Sequence, residues 1–102
     1  MIQTIVLFKL DEDHARSEAR SEIAAKIREA LGELPGVQGL AIGVPADAAA
    51  ERSWDLSLVL HFEDLETARA FDDHPAHVAF ADAYMKPRTQ VVKAWLFELL
   101  SS

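Results

Sequence analysis

The two ends of the chain set the strongest limit on what it can fold into. Ile2 to Leu10 and Val91 to Leu100 both read as strands, and both are apolar on either side of the alternation. In the first, Ile2, Thr4, Val6, Phe8 and Leu10 share one face, and Gln3, Ile5, Leu7 and Lys9 the other. In the last, Val91, Lys93, Trp95, Phe97 and Leu99 alternate with Val92, Ala94, Leu96, Glu98 and Leu100. Strands of this kind need cover on both faces.

Between them lie two helical stretches and two more strands. Asp11, Glu12 and Asp13 place negative charge where a helix N-terminus favours it. From there Ala15, Ala19, Ile23, Ile27, Ala30, Leu31 and Leu34 recur at steps of three and four and predict one amphipathic helix. Leu34-Pro35-Gly36 stops it. Val37 to Val44 is a short strand weakened by Gly39 and Gly43, which suggests an edge or a bulge. Residues 45 to 52 form a surface loop or one short helical turn. Trp54 to Phe62 alternates most clearly: Trp54, Leu56, Leu58, Leu60 and Phe62 against Asp55, Ser57, Val59 and His61. Leu65, Ala68 and Phe71 then open a helix. It breaks at Pro75 and restarts through Val78, Phe80, Ala81 and Tyr84 until Pro87.

The order strand, helix, strand, strand, helix, strand gives an α+β, ferredoxin-like β-α-β-β-α-β fold. Its sheet is four-stranded and antiparallel, with both helices on one face. At 102 residues the chain is one domain, 1–102. No element remains to cover the second sheet face. A two-fold homodimer with the bare faces packed together, a dimeric α/β barrel, is therefore expected.

Composition removes several function classes. There is no cysteine, so thiolate chemistry and metal–thiolate sites are absent. The net charge of −7 repels phosphate backbones, and no Lys/Arg cluster offsets it, so nucleic acid is not an expected partner. No apolar run approaches the roughly 18 residues of a membrane helix, so no membrane partner is expected. The N-terminus lacks the pattern of a secretory signal, and the expectation is a cytoplasmic protein. Gly36, Gly39 and Gly43 do not have the spacing of a phosphate-binding loop, and no cofactor is expected.

The chemistry-bearing residues gather around the broken helix. His77 lies about one turn past Pro75, and a histidine there can act as general base beside a carbonyl. Equally, it can cap or pack the break. His74 precedes Pro75, is biased away from helical angles, and belongs at the helix entrance with Asp72 and Asp73. Their spacing fixes no third ligand, so no metal site is read. Tyr84 stands two turns beyond His77 and shares its side of a regular helix. His61 sits on the polar face of its strand, and His14 in a charged, solvated helix start. Trp54 and Trp95 suit core or interface anchors.

Four segments together resemble the stress-responsive α/β-barrel (Dabb) family: Ile5-Val6-Leu7-Phe8-Lys9, Leu34-Pro35-Gly36-Val37, Trp54-Asp55-Leu56-Ser57-Leu58-Val59 and His74-Pro75-Ala76-His77. The resemblance runs nearly end to end and implies a dimeric α+β barrel. One plant member of that family closes a linear polyketide by aldol chemistry. Its catalytic histidine corresponds to His77, its partner tyrosine to Phe71 and a first-strand pocket histidine to Gln3. Phe71 has no hydroxyl with which to polarise a carbonyl or orient His77.

Three functional readings follow. The first is a homodimer binding a small, mostly apolar molecule between sheet and helices, lined by Gln3, Ile5, Leu7, His61, Phe71, His74, His77, Phe80 and Tyr84. The second is a cofactor-free lyase or cyclase with His77 as general base. The third is a non-catalytic, stress-linked interaction dimer.

Overall fold

The computed structural model describes residues 1–101. The sheet contains β1 (Ile2–Leu10), β2 (Gly39–Gly43), β3 (Leu56–Phe62) and β4 (Thr89–Glu98) in the order β2-β3-β1-β4. All three pairings are antiparallel, as a ferredoxin-like sheet requires. Helices α1 (Ser17–Leu31), α2 (Ala48–Ser53), α3 (Leu65–Asp73) and α4 (Pro75–Phe80) connect the strands. A π-helical turn (Ala81–Met85) and a 3-10 turn (Lys86–Arg88) lead α4 into β4.

Directly opposed residues of an antiparallel pair share a face, so the register sorts the sheet into two sides. Ile2, Thr4, Val6 and Phe8 stand level with Phe62, Leu60, Leu58 and Leu56, and with Val92, Ala94 and Leu96 of β4. This side meets Ile23, Ile27 and Leu31 of α1 and Ala68 and Phe71 of α3 in one buried cluster. The other side carries Gln3, Ile5 and Leu7, level with His61, Val59 and Ser57 on β3, with Gly39, Ala41 and Gly43 on β2, and with Phe97, Trp95 and Lys93 on β4. Among the described residues, α1, α3 and α4 lie on the opposite side, and only Ala50 of α2 borders this face, beside Leu7 and Ser57.

Helix boundaries differ from the sequence reading where local polar chemistry intervenes. Asp11 does not begin α1. It closes a turn instead, accepting from the His14 backbone N–H at 3.1 Å on both its carbonyl and its carboxylate, with His14 Nδ1 at 2.6 Å from Oδ1. His14 is thus paired rather than freely solvated, and the helix starts six residues later. At its other end α1 stops at Leu31. Gly36 adopts φ +89, where a Cβ would meet the Thr67 methyl at 2.4 Å, so only glycine fits that turn. Residues 48–53 are a short helix, capped by the Asp47 carboxylate on the Ala50 N–H at 2.8 Å.

The strongest departure is Asp55. Alternation puts it on the polar face beside Ser57, but β3 starts at Leu56, and outside the ladder the Asp55 side chain is free to turn inward. It is 1% exposed. Oδ1 accepts from Arg20 Nη2 at 2.7 Å and Nε at 3.2 Å, and Oδ2 from the Leu10 N–H at 2.8 Å. Arg20 occupies the helical position before Ile23, Ile27 and Leu31 and is buried with them. The pair ties α1 to the ends of β1 and β3 beside a register shift at Lys9/Leu10.

Candidate functional site

The site is built by the chain from Asp64 to Thr89. Asp64 caps α3, accepting from the Thr67 N–H at 2.8 Å and its hydroxyl at 2.7 Å. These bonds hold the Asp64 carboxyl below its ordinary value. Ala68 and Phe71 face the core while Leu65 stays exposed, and Phe71 packs on Phe62 with ring centroids 5.1 Å apart. At His74 the backbone leaves the helical region (φ −62, ψ 130), as the residue before a proline must. His74 ends α3 through its own N–H to the Phe71 carbonyl and caps α4 by accepting from the Ala76 N–H on Nδ1 at 3.0 Å. It is a hinge residue rather than part of a cavity wall.

One turn on, His77 stacks on Phe71 (centroids 4.6 Å, planes 26° apart). Its Nδ1 lies 3.1 Å from the Asp72 carbonyl oxygen. A carbonyl can only accept, so Nδ1 carries a proton, and in the neutral ring Nε2 keeps its lone pair. The Asp72 carboxyl is pushed up by burial, partly offset by attraction to His77 and reinforced by Asp73.

The π turn changes what comes next. It takes more residues per turn than an α-helix, so seven residues no longer make two turns, and Tyr84 does not share the His77 side. Tyr84 instead stacks on Phe80 (5.2 Å, 12°) with the Arg88 guanidinium 3.8 Å from its ring centre, and Arg88 Nη1 donates to the Tyr84 carbonyl at 2.8 Å. Tyr84 packs against the edge of the core without lining the cavity, whereas Ala81, Asp82, Met85 and Lys86 line it.

Between sheet and helices lies a cavity of about 460 Å³. Its floor is Thr4, Val6 and Phe8 of β1 with Leu58 and Leu60 of β3 and Val92, Ala94 and Leu96 of β4. Its roof is Ile27, Leu31, Phe71, His77, Phe80 and Met85, and charge enters only through Asp72, Asp82 and Lys86. Of the residues singled out from sequence, Phe71, His77 and Phe80 meet here. Gln3, Ile5, Leu7 and His61 do not: strand alternation puts them on the uncovered face, where Gln3 Nε2 and His61 Nε2 stand 3.3 Å apart. The polar first-strand residue that faces the cavity is Thr4, one position along from Gln3. The period-two pattern of β1 holds both options, and only knowledge of which face the helices cover selects between them. A second hollow of about 310 Å³ lies on the other side, between Leu7, Ser57, Val44, Pro45 and Ala50, with Trp54 as one wall. Among the described residues no group of three or more His, Cys, Asp or Glu is placed to hold a metal ion, and no helix is long and apolar enough to cross a membrane.

Sheet order, register and one-sided helical layer define a ferredoxin-like α+β protein with a cavity under a broken helix. The chain belongs to the Dabb family: the model of the stress responsive A/B barrel domain matches residues 2–95. A Dabb family protein with a ferredoxin-like fold from Mesorhizobium loti superposes with a TM-score of 0.82 at 19% identity, covering 98% of this chain and 97% of its own. A dimeric ferredoxin-like protein of unknown function from Thermobifida fusca is 25% identical, with a TM-score of 0.76 over 96% of this chain and 90% of its own. The hydroxynitrile lyase of Passiflora edulis shares the fold at 14% identity (TM-score 0.78; 99% and 94% covered). No curated protein sequence matches this chain.

Proposed function

We propose that this protein works as a homodimer in which each subunit holds a small, mostly apolar molecule between its sheet and its helices. The cavity carries the reading: about 460 Å³ lies within the range of small-molecule sites, and its walls are aliphatic and aromatic apart from a few polar groups. Titration with aromatic and polyketide-like compounds tests it. The expected result is a melting temperature that climbs with ligand concentration and an occupied cavity in a co-crystal. A broad panel without effect ends the reading.

Self-association is supported from two sides. Proteins of this fold from Thermobifida fusca and Bacteroides fragilis are described as dimeric. The uncovered face of this chain is also graded in size, with Trp95 and Phe97 at the β4 edge and only Gly39, Ala41 and Gly43 at the β2 edge. A two-fold axis parallel to the strands lays β4 of one copy over β2 of the other, bulk against hollow. Sedimentation at micromolar concentration reads the outcome, and a stable single subunit there refutes the dimer.

A second reading, a cofactor-free lyase or cyclase, draws on one observation. The Nδ1–H bond to the Asp72 carbonyl leaves Nε2 of His77 as a proton acceptor on a residue that lines the cavity. Comparing wild type with His77→Ala on a β-keto thioester panel tests it: turnover by wild type and its loss in the variant support the base, and equal rates remove it.

A further inference from the structure

We infer that the ligand of the sheet–helix cavity carries a neutral oxygen group, a carbonyl or hydroxyl, that bonds to the Thr4 hydroxyl on the cavity floor. The inference rests on the cavity reading above and adds to it the chemical class of the ligand.

Thr4 is 5% exposed. It stands level with Leu60 on one side and Leu96 on the other, in an otherwise aliphatic stretch of floor. No described residue bonds its hydroxyl. Yet no fully occluded side-chain oxygen or nitrogen among the described residues lacks a partner, so the Thr4 oxygen must open on the cavity that it lines. A hydroxyl in an apolar wall is costly unless it is satisfied. Once an apolar molecule displaces water from the floor, an oxygen on that molecule is the only partner left.

The surroundings also say what that oxygen is not. Asp72, Asp82 and Lys86 belong to the helical layer, and all three are exposed. No cation stands beside Thr4 on the sheet. A carboxylate carried down to the floor would be buried against one hydroxyl alone, which does not offset its desolvation. The site therefore selects neutral ketones, aldehydes or alcohols over the corresponding acids.

Three probes of nearly one shape test this: 2-acetylnaphthalene, its carbon isostere 2-isopropenylnaphthalene, and 2-naphthoate. Dissociation constants are measured for wild type, Thr4→Val and Thr4→Ser, with melting temperatures recorded alongside to verify folding. Wild type is expected to prefer the ketone to the alkene by about five- to tenfold, the worth of one neutral hydrogen bond, and to bind the naphthoate more weakly than either. Thr4→Val abolishes the preference by weakening the ketone alone, and Thr4→Ser restores it. Equal ketone and alkene affinity in wild type, a preference that survives in Thr4→Val, or naphthoate binding as tight as the ketone overturns the hydroxyl assignment while leaving the cavity reading intact. Failure of both neutral probes to bind wild type removes the cavity reading, and this inference with it.

Discussion

β3 and β4 flank β1 on opposite sides and both pair with it antiparallel, but they live in different environments. On β3 every second residue is sealed: Leu56, Leu58, Leu60 and Phe62 are all 2% exposed or less. On β4 no residue beyond Thr89 is sealed in this way: Leu96, Trp95, Phe97 and Val92 keep 38%, 45%, 51% and 53% of their surface exposed. Composition does not explain this, since β4 is the more apolar of the two on its second face. Position does: α1 and α3 pack over β2, β3 and β1, and β4 lies at the rim. An apolar strand exposed at a rim is the kind of surface that a partner covers, and β3 presents none.

The two strands should therefore respond differently to the same truncation. Phe62→Ala empties a site that is 0% exposed and packed on Phe71, and should cost about 3–5 kcal/mol of folding stability in denaturant titration. Phe97→Ala, at a residue 51% exposed, should stay within about 1 kcal/mol when measured at high dilution. Comparable losses at both positions would erase the distinction between the strands.

The start of β3 offers the next largest effect. Asp55→Ala leaves the Arg20 guanidinium buried and the Leu10 N–H unpaired. Breaking a buried pair from one side costs about 3–5 kcal/mol, but the Glu51 carboxylate stands 4.0 Å from Arg20 Nη2 and can take up part of the charge. A loss of about 2–4 kcal/mol is expected in urea titration. Replacing both partners, Asp55→Leu with Arg20→Met, should recover much of it, because no unpaired charge then remains. A double variant as unstable as Asp55→Ala would show that the pair holds the β1–α1–β3 junction by geometry rather than by mutual neutralisation.

For β4 the matching measurement is assembly. Trp95→Ser should weaken self-association by about 2 kcal/mol or more, as the loss of a tryptophan anchor does, and Ala41→Trp should do the same by filling the hollow over β2. Sedimentation equilibrium reads both. If Trp95→Ser leaves association unchanged while Phe62→Ala unfolds the subunit, the exposed strand is covered by something other than a second copy.

Most of the sheet was legible from alternation alone, because a period of two survives in the sequence wherever one face is buried. The limits of β1, the end of β3 at Phe62 and the break at His74-Pro75 follow from that pattern and from proline geometry, whereas β3 starts at Leu56, two residues after the reading from Trp54. The cavity lining was only half legible. Phe71, His77 and Phe80 lie on the broken helix whose spacing points inward. Gln3, Ile5, Leu7 and His61 were drawn to the same place by their chemistry, although alternation allowed their neighbours on β1 equally well. Thr4 was passed over because a threonine among valines and isoleucines looks like ordinary strand composition. Tyr84 was misplaced by assuming 3.6 residues per turn through a segment that widens into a π turn. Arg20–Asp55 was hidden for a different reason: it joins a residue inside a helix to one just outside a strand, and neither period reports such a pair. Arg20 did occupy the apolar stripe with Ile23 and Ile27, which is the one local sign of it.

The smallest effect sharpens the contrast on the covered side, where charge is confined to the edge of the cavity. Burial raises the Asp72 carboxyl above its ordinary value of 3.8, so folding favours its protonated form. The sign follows directly: the contribution is fully present below about pH 3.8 and is lost as pH rises through the higher native value. Asp72→Asn removes that loss. The variant should be slightly more stable than wild type at neutral pH and indistinguishable from it at the acid end, with a gain under about 0.5 kcal/mol because the side chain is still largely in water. Melting temperatures of both proteins between pH 3 and 8 give the comparison. Adding a neutral cavity ligand should widen the gap at neutral pH, since an apolar occupant strips more water from a carboxylate than from an amide. If the gap instead closes when ligand is added, Asp72 makes a favourable contact with the occupant, and the charge at the cavity edge belongs to recognition rather than to the cost of keeping the cavity open.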